Sequence, residues 1–442
     1  MAHGITYAEQ YRPRFHFSAR KNWLNDPNGC VFYQGDYHLF FQHNPKGVEW
    51  GNMTWGHAVS KDLVRWRQLP HALFPYGGGA IFSGSAVVDW KNSSGLGDGH
   101  APPLVAAFTH ARKPYGQAIA CSNDKGCSWK LYNHGEHVVP NQGLDLGERD
   151  PKIFWHKPTQ KWVMALWVQK NRVRFFNSSN LREWIFTGDF VGEEFYECPD
   201  LFELPVAGEK RSKKWVLHDA AFHYWIGAFD GRTFRPEEGP FRGDFGSNFY
   251  AAQTWNNTAA RVMQIAWMRG GKYPGMPFSQ QMTFPCELTL RNTLRGIRLC
   301  RNPVREIKKI HAEKFRLGNL VAQPGMNPFA GISGIAFDIE MDVAAGRGSG
   351  FKIGFHGAMV SYEKNILTCP AGSIRLPVMD GDMHLRMLVD CTSLEVFWNR
   401  GEISLSSCFV PAGSQTELTF QAVRKPVRLG HVEVRKLRSI WE

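Results

Sequence analysis

The sequence predicts an all-β protein, a five-bladed β-propeller followed by a C-terminal β-sandwich. Three observations predict it: five short apolar runs at similar spacing, a turn-and-aromatic signature after four of them, and a change of texture near residue 318. The runs cover residues 37–41, 104–108, 162–167, 215–218 and 262–267. Each is rich in β-branched or aromatic side chains and bounded by turn residues, as buried strands are. Their central markers Phe40, Ala106, Met164, Val216 and Gln264 lie 48 to 66 residues apart.

The second signature is an Asp or Asn followed four or five residues later by an aromatic: Asp62 and Trp66, Asp124 and Trp129, Asn180 and Trp184, Asp230 and Phe234. Asp and Asn bond to their own backbone and favour turns; the aromatic is expected to pack on the next strand. Further strand candidates at 57–60, 117–122 and 174–178 lie between run and turn. The unit is therefore strand, strand, strand, turn, strand, with amphipathic helices nearly absent. Repeated about five times, it outlines a propeller. A long sandwich gives no reason for a recurring turn and aromatic.

The propeller is assigned to residues 1–304. Residues 305–317 read as a linker with a short helix, and residues 318–442 as a β-sandwich, because 384–390 and 393–398 alternate as half-buried strands do.

Composition narrows the function. Of 442 residues, 43% are hydrophobic and 21% charged, the balance of a folded chain. No apolar run approaches membrane-spanning length, and the opening Met1-Ala2-His3-Gly4 lacks a secretory leader pattern. Nine cysteines without CxxC spacing suit free, mostly buried thiols, and neither they nor the histidines suggest a metal site. The net charge of +12 invites a nucleic-acid or anionic-polymer reading. However, the basic residues are dispersed apart from a cluster between Arg291 and Arg316, and no nucleic-acid-binding pattern is present.

Three carboxylates occupy equivalent places in the repeat. Asp26 and Asp150 each stand 14 residues before their marker, and Glu197 stands 19 before Val216. Each is followed by proline one or two residues on. A lone Asp-Pro is usually only a turn initiator; three acids in register would converge on the central channel. Glycoside cleavage needs such a set: one carboxylate, kept ionised by hydrogen bonds and a neighbouring cation, attacks the anomeric carbon, and another, kept protonated by like-charged neighbours, serves the leaving oxygen. Arg149 and Asp150 would point to opposite faces of a regular strand, and Asp150 reads as a binder of sugar hydroxyls.

The segments Trp23-Leu24-Asn25-Asp26-Pro27-Asn28-Gly29, Arg149-Asp150-Pro151 and Glu197-Cys198-Pro199 resemble the three signature motifs of glycoside hydrolase family 32, and the likeness covers nearly the whole chain. The resemblance implies a five-bladed propeller with a C-terminal sandwich, no metal or organic cofactor, and a retaining enzyme that removes β-linked fructose. It implies Asp26 as nucleophile, Asp150 as transition-state stabiliser and Glu197 as acid/base. It implies substrate contacts from Asn25, Gln42, Trp50, Phe82, Ser83 and Arg149. At position 248 the family often has Asp where this chain has Asn248, a change expected to alter hydrogen bonding near the acid/base. The stretch 274–285 is similar to exo-fructanases, levan-degrading ones especially. Within the family, a dedicated invertase and a fructosyltransferase stay open. Outside it stand an arabinan or xylan hydrolase, whose motifs differ, and an inactive sugar-binding protein, which would most simply have lost Asp26 or Glu197. A carbohydrate partner is implied, with neither nucleic acid nor membrane; oligomeric state and compartment stay open, a polymer substrate favouring the extracellular side.

Overall fold

The computed structural model describes residues 7–209, 212–345, 348–377, 382–413 and 415–441; the opening Met1–Gly4 lies outside them. Helix among the described residues is confined to two short 3-10 turns, Tyr132–Gly135 and Arg305–Ile310. The first four sheet units are antiparallel meanders of four strands, starting at Asn22–Tyr33, Ala80–Val88, Arg149–His156 and Asp200–Ala207. A fifth runs Tyr250–Thr254, Val262–Met268, Cys286–Thr293 and Gly296–Pro303. The first strands pack on one another around an axis, so they are innermost and paired mainly on their outer side. This explains how Pro27 and Pro151 are accommodated in strands: an edge facing the axis has no ladder bond to lose.

All five apolar runs lie in the second strands of these meanders. The turn signature has one physical form in three of its four instances, whereas Asp124 Oδ1 accepts from the backbone N–H of Ser128. Asp62 Oδ1 accepts from the backbone N–H of Val64 and Arg65, Asn180 Oδ1 from Arg182 and Glu183, and Asp230 Oδ1 from Arg232 and Thr233. Three of the four aromatics reach a neighbouring blade. Trp129 meets Phe40 of the preceding blade at 5.4 Å, Phe234 meets Phe190 at 5.4 Å, and Trp66 stacks on Trp255 at 6.2 Å across the join between last and first blades. The signature therefore serves the contact between blades, where each core is shared by two neighbouring sheets.

Two pairings hold the last blade in place. Asn22 and Trp23 pair in parallel with Phe278 and Ser279, so the stretch 274–285 includes a clasp between the first blade and the last. Val206 and Ala207 pair in parallel with Leu290 and Arg291, which fuses the fourth and fifth sheets.

Residues 305–317 divide differently from a linker. After the 3-10 turn, His311–Leu317 forms a strand on Val427–Leu437 within the first sheet of the sandwich. A second sheet, built on Gly350–Phe355, closes over it, and Phe337, Ile353, Val396, Trp398 and Phe420 fill the space between. Ser393–Trp398 is buried along its whole length rather than on alternate residues. One face (Leu394, Val396, Trp398) enters the sandwich core, while Phe397 joins a core shared with the propeller. On that shared face His16 bonds Asp390 and Glu395, each at 2.9 Å, and Arg301 bonds Glu395 at 2.6 Å and Asp244 at 3.2 Å. The basic cluster is largely spent in ion pairs: Arg295 with Glu402, Arg298 with Glu238, Lys309 with Asp62. All nine cysteines are free, and most are buried.

Candidate active site

At one end of the innermost strands opens a cavity of about 490 Å³. Asn25, Asp26, Gln42, Trp50, Phe82, Ser83, Arg149, Asp150 and Glu197 all line it. Four blades deliver these side chains, most of them from the starts of inner strands or the turns just before; Gln42 comes from the second strand of the first blade, Asp36–Asn44, and Trp50 from the loop after it.

Asp26 is held by hydrogen bonds alone. Ser83 Oγ donates to Oδ2 at 2.6 Å and Asn25 Nδ2 to Oδ1 at 3.1 Å, while Trp23 Nε1 fixes Asn25 at 2.8 Å. Behind them, Asn28 with its amide turned to suit its neighbours donates to Ser83 at 3.2 Å and accepts from Gln42 Nε2 at 3.1 Å. Gln42 thus reaches Asp26 through two intermediates. Burial pushes the Asp26 carboxyl up to about 6, against the pull of the Ser83 bond; the nearby Glu197 charge adds to the rise.

The cation expected beside the attacking carboxylate stands elsewhere. Arg149 donates to Glu197 Oε2 from Nε at 3.0 Å and from Nη2 at 2.7 Å. Its guanidinium lies 4.3 Å from the Trp167 ring centre, and its Nη1 donates to Gly147 O at 2.7 Å. Tyr250 O–H donates to Glu197 Oε1 at 2.5 Å. Arg149 and Asp150 also share the cavity rather than facing opposite ways. The reason is local: Asp150 has φ 68° and sits opposite a register shift, so the alternation of the strand is broken there. Glu197 (φ 44°), Cys198 (46°) and Ala251 (51°) are left-handed as well. Each non-glycine residue in this region costs on the order of 1–3 kcal/mol, strain that typically gathers at functional sites.

Asp150 is raised by burial first, with Arg149 opposing and Glu197 and Asp26 reinforcing the shift. Its Oδ2 accepts from Cys198 N at 3.1 Å and lies 3.4 Å from Cys198 Sγ. Burial keeps that thiol neutral, so it acts as a weak donor between Asp150 and Asp26. No group of three or more His, Cys, Asp or Glu among the described residues is arranged to hold a metal ion.

Trp50, 58% exposed, forms the open wall and meets Phe82 edge-on. Tyr115, Leu146, Trp267 and Tyr250 are among the other residues that line the cavity, and sequence reasoning missed all four. Their places depend on how the blades curve; Trp267 ends the last apolar run and Tyr250 lies two residues beyond Asn248. Asn248 itself does not bond Glu197. Its amide donates to Arg269 O at 2.5 Å and accepts from Cys408 N at 2.9 Å, joining the last blade to the sandwich. An amide suits that place because it must both donate and accept.

A propeller that gathers three acids, an arginine and exposed aromatics at one mouth of its channel defines a carbohydrate-cleaving enzyme. Residues 16–303 match the glycosyl hydrolases family 32 N-terminal domain, and residues 340–436 the family 32 C-terminal domain. The chain belongs to this family and is a glycosidase of the β-fructofuranosidase type. It is 37% identical to a levanase of Bacillus subtilis (strain 168), over 98% of this chain and 72% of that one. It is 30% identical to an extracellular exo-inulinase of Aspergillus niger, over 100% and 97%. The solved β-fructofuranosidase of Schwanniomyces occidentalis with fructosyl-erythritol shares 26% identity and 99% of each chain, with a TM-score of 0.89.

Proposed function

We propose that this enzyme releases β-linked fructose from the non-reducing end of fructans, levan and inulin, and also from sucrose, with retention of configuration. The observation that carries the reading is the convergence of Asp26, Asp150 and Glu197 on one open cavity. The levanase and exo-inulinase relatives favour a polymer.

The reaction runs in two displacements. Asp26 attacks the anomeric carbon of the terminal fructose as the bond to the leaving oxygen breaks, and Glu197 gives that oxygen its proton. Glu197 then takes a proton from water, which displaces Asp26 and frees fructose. Asp150 holds ring hydroxyls, and Trp50 gives the sugar a face to lie against. The bonds to Glu197 dictate which oxygen works. Arg149 can only donate, so Oε2 cannot carry the proton. It must ride on Oε1, whose remaining lone pair can still accept from the Tyr250 hydroxyl.

The test is fructose release from sucrose, inulin and levan in parallel, with Glu197→Gln as control. Release from levan or inulin well above sucrose supports an exo-fructanase. Release from sucrose alone makes the enzyme an invertase, and silence on all three abandons the reading.

A further inference from the structure

The innermost strands have a second set of ends, and these frame another cavity, of about 530 Å³. Its wall holds the half-buried Trp155 and Trp215 with the buried Trp162 behind them, and its rim the exposed Trp90. Trp90 is 58% exposed, with its Nε1 directed at Asn257 Oδ1 at 3.3 Å, so the indole edge is held while much of the ring stays open. Lys91, Lys157 and Glu203 surround the opening, charges of both signs.

This mouth does not communicate with the active site. Lys152 Nζ plugs the axis, bonded to Asp200 at 3.0 Å and to Thr254 O at 2.9 Å. Asn256 Nδ2 ties the strand of Lys152 to one further inner strand through Ile153 O at 3.1 Å and Ala86 O at 2.8 Å. On the active-site side of the Lys152 plug, a small cavity beside Asp150, Lys152 and Gln253 measures about 10 Å³, at most room for a single water. A sugar cannot pass, so the far cavity is neither a product exit nor part of the catalytic pocket.

We propose that the far mouth is a second carbohydrate-binding site, taking a stretch of the same fructan chain that the active site does not cleave. Indole faces fit the C–H faces of sugar rings, amides and charged heads at the rim fit hydroxyls, and mixed charge favours a neutral ligand over an anionic polymer. The inference rests on the fructan reading. A chain held there keeps other ends of the polymer at high local concentration, whereas sucrose gains nothing.

Migration of wild type, Trp90→Ala and Trp90→Phe is compared in native gels containing levan, inulin or polygalacturonate, alongside fructose release from sucrose. Levan or inulin should retard wild type, Trp90→Ala several-fold less, and Trp90→Phe nearly as well as wild type, with sucrose turnover equal in all three. Equal retardation of wild type and Trp90→Ala overturns the proposal, as does Trp90-dependent retardation in polygalacturonate only. Wild type that releases fructose from levan yet is never retarded also overturns it, leaving the catalytic reading intact. Failure to release any fructose removes the fructan reading itself.

Discussion

Arg149 grips Glu197 through two donors on the same carboxylate oxygen, Oε2. The arginine is itself fixed by the Trp167 ring and Gly147 O, so orientation passes from a rigid wall to Glu197, the proposed acid/base. Arg149→Ala should lower kcat by about 10²–10³-fold, a loss typical of removing a preorganised polar contact. Arg149→Lys should recover only part of it, because a point charge cannot copy the planar fork. Steady-state kinetics on sucrose read this out; a change confined to KM would contradict it.

The raised carboxyl of Asp26 sets an acid limit on activity. As the proposed nucleophile, Asp26 must be ionised, so kcat/KM should fall as pH drops through about 6. The profile of the free enzyme between pH 4 and 8 measures it.

The same shift affects stability in the opposite sense. A folded-state value above the ordinary 3.8 means the protonated form suits the fold. That contribution is full below pH 3.8 and lost as pH rises through about 6. Asp26→Asn should therefore be more stable than wild type above pH 6, by roughly 1–3 kcal/mol, with the gap closing towards pH 4. The variant should also lose at least about 10⁴-fold in kcat. Melting temperatures across pH test the first claim, and equal stability at pH 8 would refute it.

His16 gives the reverse dependence. Its two bonded carboxylates raise it to about 9 despite the opposing effect of burial. Stability from this charge is complete below about 6.5 and disappears as pH rises through about 9. His16→Gln should cost about 3–5 kcal/mol at pH 7, since Asp390 and Glu395 lose their shared cation, and the penalty should shrink at pH 10. Urea titration at the two pH values checks it.

Tyr250→Phe keeps the ring under Arg269 and removes only the donor to Glu197. A kcat reduced about tenfold with KM nearly unchanged is expected. An unaltered kcat would show that the hydroxyl plays no part in orienting the acid.

The strands and the acids were legible because each is a local pattern: an apolar run, an Asp turn, an acid before proline. What escaped depended on distant packing. Ser393–Trp398 alternates in sequence yet is buried on both faces because the propeller covers its outer side. Arg149 and Asp150 share a face only because φ at Asp150 is positive. The destination of the Arg149 cation lies 48 residues downstream, at Glu197, and no spacing rule chooses between it and Asp26.

The clasp of Asn22 and Trp23 on Phe278 and Ser279 joins segments more than 250 residues apart. Such closure is entropically slow, and the strand that carries Asp26, synthesised well before the fifth blade, must wait for it before its neighbours are complete. Catalytic competence is therefore withheld until the ring is shut. A nascent or truncated chain ending before residue 278 would carry every signature acid and still be silent.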